Sequence, residues 1–113
     1  MKVYKKLYWG IAFNANRGAC IIANSAYEAR KLFAIKRGYY AVDVEVSRIC
    51  RLPLQHQNTT EVYPSDALLK DCGCQFVTSF CPSDKVTQVI KRMLKPGGRI
   101  FNFNNRIFQE GII

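Results

Sequence analysis

The stretch NSAYEARKLFAIKRG, residues 24 to 38, constrains the fold most, because it marks both ends of one short helix. Ser25 and Glu28 stand at capping-box spacing, where each side chain satisfies a backbone amide of the first turn. Gly38 sits where helices commonly close on a left-handed residue. Ala26, Ala29, Leu32 and Phe33 form a modest inward side. Arg30, Lys31, Lys36 and Arg37 lie outward or at the end, where cations complement the helix dipole.

On either side the apolar residues recur every second position, as in strands. From Val3 to Phe13, the residues Val3, Lys5, Leu7, Trp9 and Ile11 alternate with Tyr4, Lys6 and Tyr8. NANRG, 14 to 18, reads as a turn, so a hairpin into Ala19–Ala23 is expected. After the helix, Val42, Val44 and Val46 of AVDVEVSRICRLP face one way, with Asp43, Glu45 and Ser47 opposite. The alternation loses phase at Ile49, which implies a bulge or a change of face, and Pro53 ends the strand.

LQHQNTTEV is a polar loop, PSDALLKDCG a short helix capped by Ser65 and closing near Gly73, and CQFVTSF a β-prone run. PSDKVTQVIKRMLKPGG predicts a second main helix over about residues 84–95, with Val86, Val89, Ile90, Met93 and Leu94 at helical spacing. RIFNFNNRIFQEG predicts a hairpin around Asn104–Asn105. The expected order is β-β-α-β, short α, β-α-β-β: a single α+β domain over residues 1–113, with a mostly antiparallel sheet. A chain of 113 residues builds one core.

Other classes fall away on composition. An apolar content of 49% suits a packed globule. No run approaches the ~18 apolar residues that span a bilayer. MKVYKKLYWG interleaves lysines with its apolar residues, unlike the continuous apolar region of a signal peptide. A cytoplasmic protein without membrane contact is therefore expected.

The five cysteines show no paired secreted framework, and buried thiols acting as small hydrophobes are the plain expectation. Three cluster in KDCGCQFVTSFC, residues 70–81. Cys72 and Cys74 flank a glycine as two zinc ligands can, with Cys50 and His56 as candidates to complete a set. Cys81 does not fit: along a strand it lies about 23 Å from Cys74, on the opposite face. A cysteine-rich buried strand without metal or cofactor is the expectation. His56, the only histidine, sits in a polar loop, and a small enzyme using Cys81 or His56 is the remaining catalytic reading. LKPGGRIFNF, 94–103, is similar to a helix–turn–strand passage of nucleoside-dependent methyltransferases, but the cofactor-binding strand, glycine-rich loop and acidic residue of such enzymes are missing. A Pro-Gly-Gly helix stop accounts for it.

Charge points to a partner. Seventeen basic residues against eight acidic give +9, and residues 1–60 hold ten of the basic and only three of the acidic. Lys2, Lys5, Lys6, Arg17, Arg30, Lys31, Lys36 and Arg37 there accompany Tyr4, Tyr8, Trp9, Tyr39 and Tyr40. Cations grip phosphates or carboxylates, and aromatic rings stack on bases or fill a pocket. The expected contact set is Lys5, Lys6, Tyr8, Arg17, Arg30, Lys31, Lys36, Arg37, Tyr39 and Tyr40.

The first 52 residues, with IIANSAYEARKLFAIKRGYY followed by VDVEVSRICRLP, resemble small accessory proteins of bacteriophages and mobile elements. In these a strand leads through a cap into an EAR helix and out to a strand. The resemblance implies a binding protein, such as an anti-CRISPR or other anti-defence inhibitor, and transfers no catalytic residue. Such inhibitors are more often acidic, so the +9 charge departs from their pattern. A basic member would touch guide RNA, DNA or an acidic protein surface of a host nucleoprotein complex. The alternative is a general nucleic-acid-binding module, with zinc as its possible stabiliser.

Overall fold

The structure, a computed structural model, describes residues 4–15, 17–76 and 99–112. The expected helix over 84–95 and Cys81 lie outside the described residues.

The chain opens with a hairpin of β1 (Lys6–Ala12) and β2 (Arg17–Ala23), joined by a short 3-10 turn at Phe13–Ala15. Helix α1 (Ala26–Arg37) follows, then a 3-10 turn at Ala41–Asp43 and strand β3 (Val44–Arg51). The ends of α1 fall where its sequence implies, but only the serine half of the capping box forms: the Glu28 carboxylate accepts from the Asn24 side chain instead of a backbone amide. The Ser25 side chain accepts from the Glu28 amide, and Gly38 has φ 74°. The Tyr39 amide donates to the Ala34 carbonyl at 2.9 Å, and the Tyr39 ring packs edge-on against Phe33. That apolar contact across the stop is the usual companion of a left-handed closure.

Helix α2 (Asp66–Asp71) is capped by Ser65. Beyond it come β4 (Gln75–Phe76), β5 (Ile100–Phe103), β6 (Arg106–Gln109) and β7 (Gly111–Ile112). The β5–β6 turn places Asn104 and Asn105 at φ 51° and 64°, the left-handed pair that a two-residue hairpin turn requires.

Two antiparallel sheets result, an α+β architecture. One has the order β3-β1-β2-β7 and the other β4-β5-β6. The first sheet is covered on both faces. Leu7, Trp9, Cys20 and Ile22 pack with Leu52, Leu68, Leu69, Phe101 and Phe108, which come from α2, the second sheet and the segment after β3. Tyr8, Ala12, Ile21 and Val44 pack with Ala29 and Phe33 of α1. This explains why β1 alternates without a polar side: each parity meets a different core. Gly10 lets α1 approach, since a Cβ there would stand 2.6 Å from Ile21 Cδ1 and 3.1 Å from Phe33 Cδ1.

The phase slip in β3 is a bulge. Leu7 pairs with Cys50 but Tyr8 pairs with Arg48, which leaves Ile49 as the extra residue. Val44 and Val46 therefore face α1, while Cys50 turns to the other core.

Several expectations are corrected. Val42 does not join the inward valines: the strand begins only at Val44, and Val42 sits on the preceding turn, 83% exposed. Ala26 is exposed, and the inner side of α1 is Ala29, Phe33 and Ala34, with Leu32 half-buried. Strand β7, which pairs with β2 through Arg17–Ile112 and Gly18–Gly111, has no counterpart in the sequence reading.

Candidate binding face

Helix α1 lies across β1, β2 and β3 and turns its other side outward. Tyr27, Arg30 and Lys31 are at i, i+3 and i+4, so they share one exposed stripe, and Ile35, Lys36 and Arg37 continue the exposed surface to the helix end. Tyr40 and Val42, on the turn beyond, extend it. Tyr27 and Tyr40 are 77% and 78% exposed. Glu28 is the acidic residue of α1, and its carboxylate accepts from the Asn24 side chain at 3.2 Å.

The cations expected at a site divide into two groups. Lys31 and Lys36 are exposed, and no described residue bonds their side chains. Arg30, Arg37, Lys5 and Lys6 are partly engaged. Arg30 Nε donates to the carbonyls of Ala41 and Val44, at 2.9 and 3.0 Å, so this side chain ties the 41–43 turn to α1. Arg37 lies over the Tyr63 ring, 4.6 Å from its centroid, with Nε 3.2 Å from the phenol oxygen. Lys5 bonds the Thr59 carbonyl, and Lys6 bonds the carbonyls of Asn24 and Tyr4. Arg17 is half-buried on β2. Lys2 lies outside the described residues.

The aromatic expectations fare less well. Tyr8 is 4% exposed and belongs to the α1 core, so it is removed from the contact set; burial also pushes its phenol pKa up. Trp9 is buried in the opposite core, edge-on to Phe108. Tyr39 is half-buried against Phe33. Tyr40 alone of these projects freely, and Tyr4 lies under the guanidinium of Arg51, 3.5 Å from its ring centroid. The residues that sequence reasoning missed are Phe13, Tyr27 and Val42, exposed apolar side chains that line a groove of about 550 Å3 with Ala26, Arg30, Val44, Glu45 and Val46. The helical spacing of Tyr27 with Arg30 and Lys31 was the signal available for one of them.

The Cys-Gly-Cys motif has a structural account. Cys72 ends α2, Gly73 takes φ 99°, its amide donates to Lys70, and the Cys74 amide reaches back to the Leu69 carbonyl at 3.0 Å. These two bonds and the shared burial of Cys74 and Leu69 make a Schellman closure. The glycine serves the helix stop. Cys50 and Cys72 meet as a pair: the hydrogen bond from Cys72 pulls the Cys50 pKa below its ordinary value and, with burial, pushes that of Cys72 up. Cys20 and Cys74 are buried, and burial raises both. Among the described residues no three His, Cys, Asp or Glu side chains are placed to hold a metal ion. His56, expected in a polar loop, is half-buried, with Nε2 2.7 Å from Asp71 Oδ2, an arrangement that ties the 54–56 turn to the end of α2.

No helix among the described residues is long and apolar enough to cross a membrane. No protein-family model matches the chain, and no curated protein or solved structure is similar to it at a significant level.

Proposed function

We propose that the chain is a non-enzymatic binding protein of the phage or mobile-element type. It works in the cytoplasm of a bacterial host, inhibiting or modulating a nucleoprotein complex by docking the outer side of α1 on an anionic surface. The observation that carries this reading is the composition of that side: Lys31 and Lys36 stand exposed between Tyr27, Ile35 and Tyr40, with Arg30 and Arg37 beside them. Cations there would speed encounter with an anionic partner, and the aromatic and aliphatic side chains would supply the area that holds it.

The test is capture from a bacterial lysate, with and without nuclease, comparing Lys31→Glu/Lys36→Glu with Lys70→Glu/Arg106→Glu. The second pair lies on α2 and β6, away from α1. The first double variant should lose the captured complex and the second should keep it. Equal weakening by both would assign the effect to net charge, and no effect of either would remove the face from consideration. Retention on naked DNA or RNA with a steep salt dependence would instead indicate a general nucleic-acid-binding module.

A further inference from the structure

Strand β3 is an edge of its sheet among the described residues. Its backbone shows which groups point outward. The Val44 amide donates to Ala41, and its carbonyl accepts from Arg30, so Val44 is turned away from β1. Hydrogen-bonding direction alternates along an antiparallel ladder. Val46, opposite Gly10, and Arg48, opposite Tyr8, therefore also turn their amides and carbonyls outward, and no described residue bonds them. Glu45 and Ser47 bond inward to β1.

Directly opposite residues share a face. The side chains of Val44, Val46 and Arg48 thus lie on the α1 side of the sheet, since Tyr8 and Ala12 opposite them belong to the α1 core. On that side the groove lined by Phe13, Tyr27, Val42 and Val46 runs beside the edge. Arg30 lines it and exposed Lys31 adjoins it, while exposed Arg48 and Arg51 continue the strand; the acidic residues on this edge are Glu45 and half-buried Asp43.

We propose that the outer edge of β3 and this groove take an extended acidic peptide segment of a partner protein as an added β-strand. The outward groups of Val46 and Arg48 supply main-chain hydrogen bonds. One apolar side chain of the peptide enters the groove, and carboxylates of the same face meet Arg48 and Arg30. The inference rests on the reading of this side as a docking surface and adds the chemistry and the mode of the partner.

Proline separates the mode from the charge. Val46→Pro removes an outward-facing amide, which an edge strand tolerates, together with the valine side chain, a loss that Val46→Ala shares, whereas Ser47→Pro removes an inward bond and should unfold the sheet. The probes are an acetylated peptide of about ten residues alternating glutamate with valine and threonine, its lysine-for-glutamate twin, and a single-stranded RNA of similar length. We expect the glutamate peptide to bind and to slow exchange of the Val46 and Arg48 amides in the unaltered protein. Val46→Pro should weaken it at least ~tenfold, and Val46→Ala much less. Binding without protection of those two amides, unchanged binding by Val46→Pro, preference for the lysine peptide or RNA, or no peptide binding would each overturn strand addition. So would protection of the same amides in the protein alone, by the chain itself or by a second copy. If Lys31→Glu/Lys36→Glu weakens the peptide and Val46→Pro does not, the docking face stands and the added strand falls.

Discussion

The backbone amide of Cys20 donates to Glu110 Oε2 at 2.9 Å across a separation of 90 residues. Glu110 is 5% exposed, and its other oxygen pairs with Arg99, which also bonds the Pro64 carbonyl and Asp66. One buried carboxylate between β6 and β7 thus joins β2 to Arg99 just before β5, and through Arg99 to the segment before α2.

Removing that carboxylate leaves the buried Cys20 amide without its acceptor and takes one of three partners from half-buried Arg99, which keeps the Pro64 carbonyl and Asp66. Glu110→Ala should cost about 1–3 kcal/mol, as leaving one buried donor unsatisfied does. Glu110→Gln retains an acceptor for Cys20 and should cost less. Urea unfolding of both variants checks the order.

Gly18 faces the Trp9 indole, and a Cβ there would stand 2.7 Å from Trp9 Cη2. Gly18→Ala should lower stability by about 1–3 kcal/mol through overpacking. Gly38→Ala meets no atom within 4 Å and opposes only the positive φ, so its cost should be nearer about 1 kcal/mol. Thermal melts distinguish a crowded site from a strained one.

Alkaline pH should weaken the fold through the buried thiols. The Cys74 thiol is pushed up to about 11 from an ordinary value of 9.0. Above pH 9 the unfolded chain ionises there first, so this contribution is neutral below about 9 and destabilising between about 9 and 11. The loss should be on the order of 1–3 kcal/mol, and Cys74→Ala should flatten the decline in urea midpoints measured across that window.

Cys50 should be the first of the described cysteines to alkylate, because the bond from Cys72 favours its thiolate. Cys72→Ala should raise its pKa and slow its modification, about threefold for each unit of the rise at a pH below both values, because the smaller thiolate fraction is partly offset by a more nucleophilic thiolate. Peptide mass mapping after a timed iodoacetamide pulse reads both rates.

Arg30 holds the 41–43 turn by two carbonyls. Arg30→Ala should cost about 0.5–1.5 kcal/mol per lost bond at most, and it should speed exchange of the Asp43 and Val44 amides, which close that turn. Exchange unchanged at both positions would show that the turn holds itself.

The local signals were legible wherever the backbone alone decides. Ser25 and Gly38 bound α1, Ser65 caps α2, Asn104–Asn105 turns a hairpin, and the slip at Ile49 is a bulge. What failed depended on long-range packing. Tyr8 reads as an amphipathic strand residue beside Lys6, and only the arrival of α1 buries it. Val42 continues a valine alternation that the chain abandons for a turn at 41–43, where Arg30 bonds the carbonyls of Ala41 and Val44. Cys-Gly-Cys resembles ligand spacing, yet the same glycine serves a helix stop, and spacing cannot separate the two. At the candidate face the cations of α1 were visible from helical periodicity, whereas the groove required the placement of Phe13 against β3.

The 90-residue span between Cys20 and Glu110 also sets a timetable during synthesis. A β-hairpin such as β1–β2 closes in about 1–10 μs once its residues are free. At roughly 5–20 residues per second, the ribosome needs several seconds more to deliver Glu110. For all that time the nascent hairpin presents the Cys20 amide without its acceptor, so this part of the sheet forms early and is completed only by a side chain made 90 residues later.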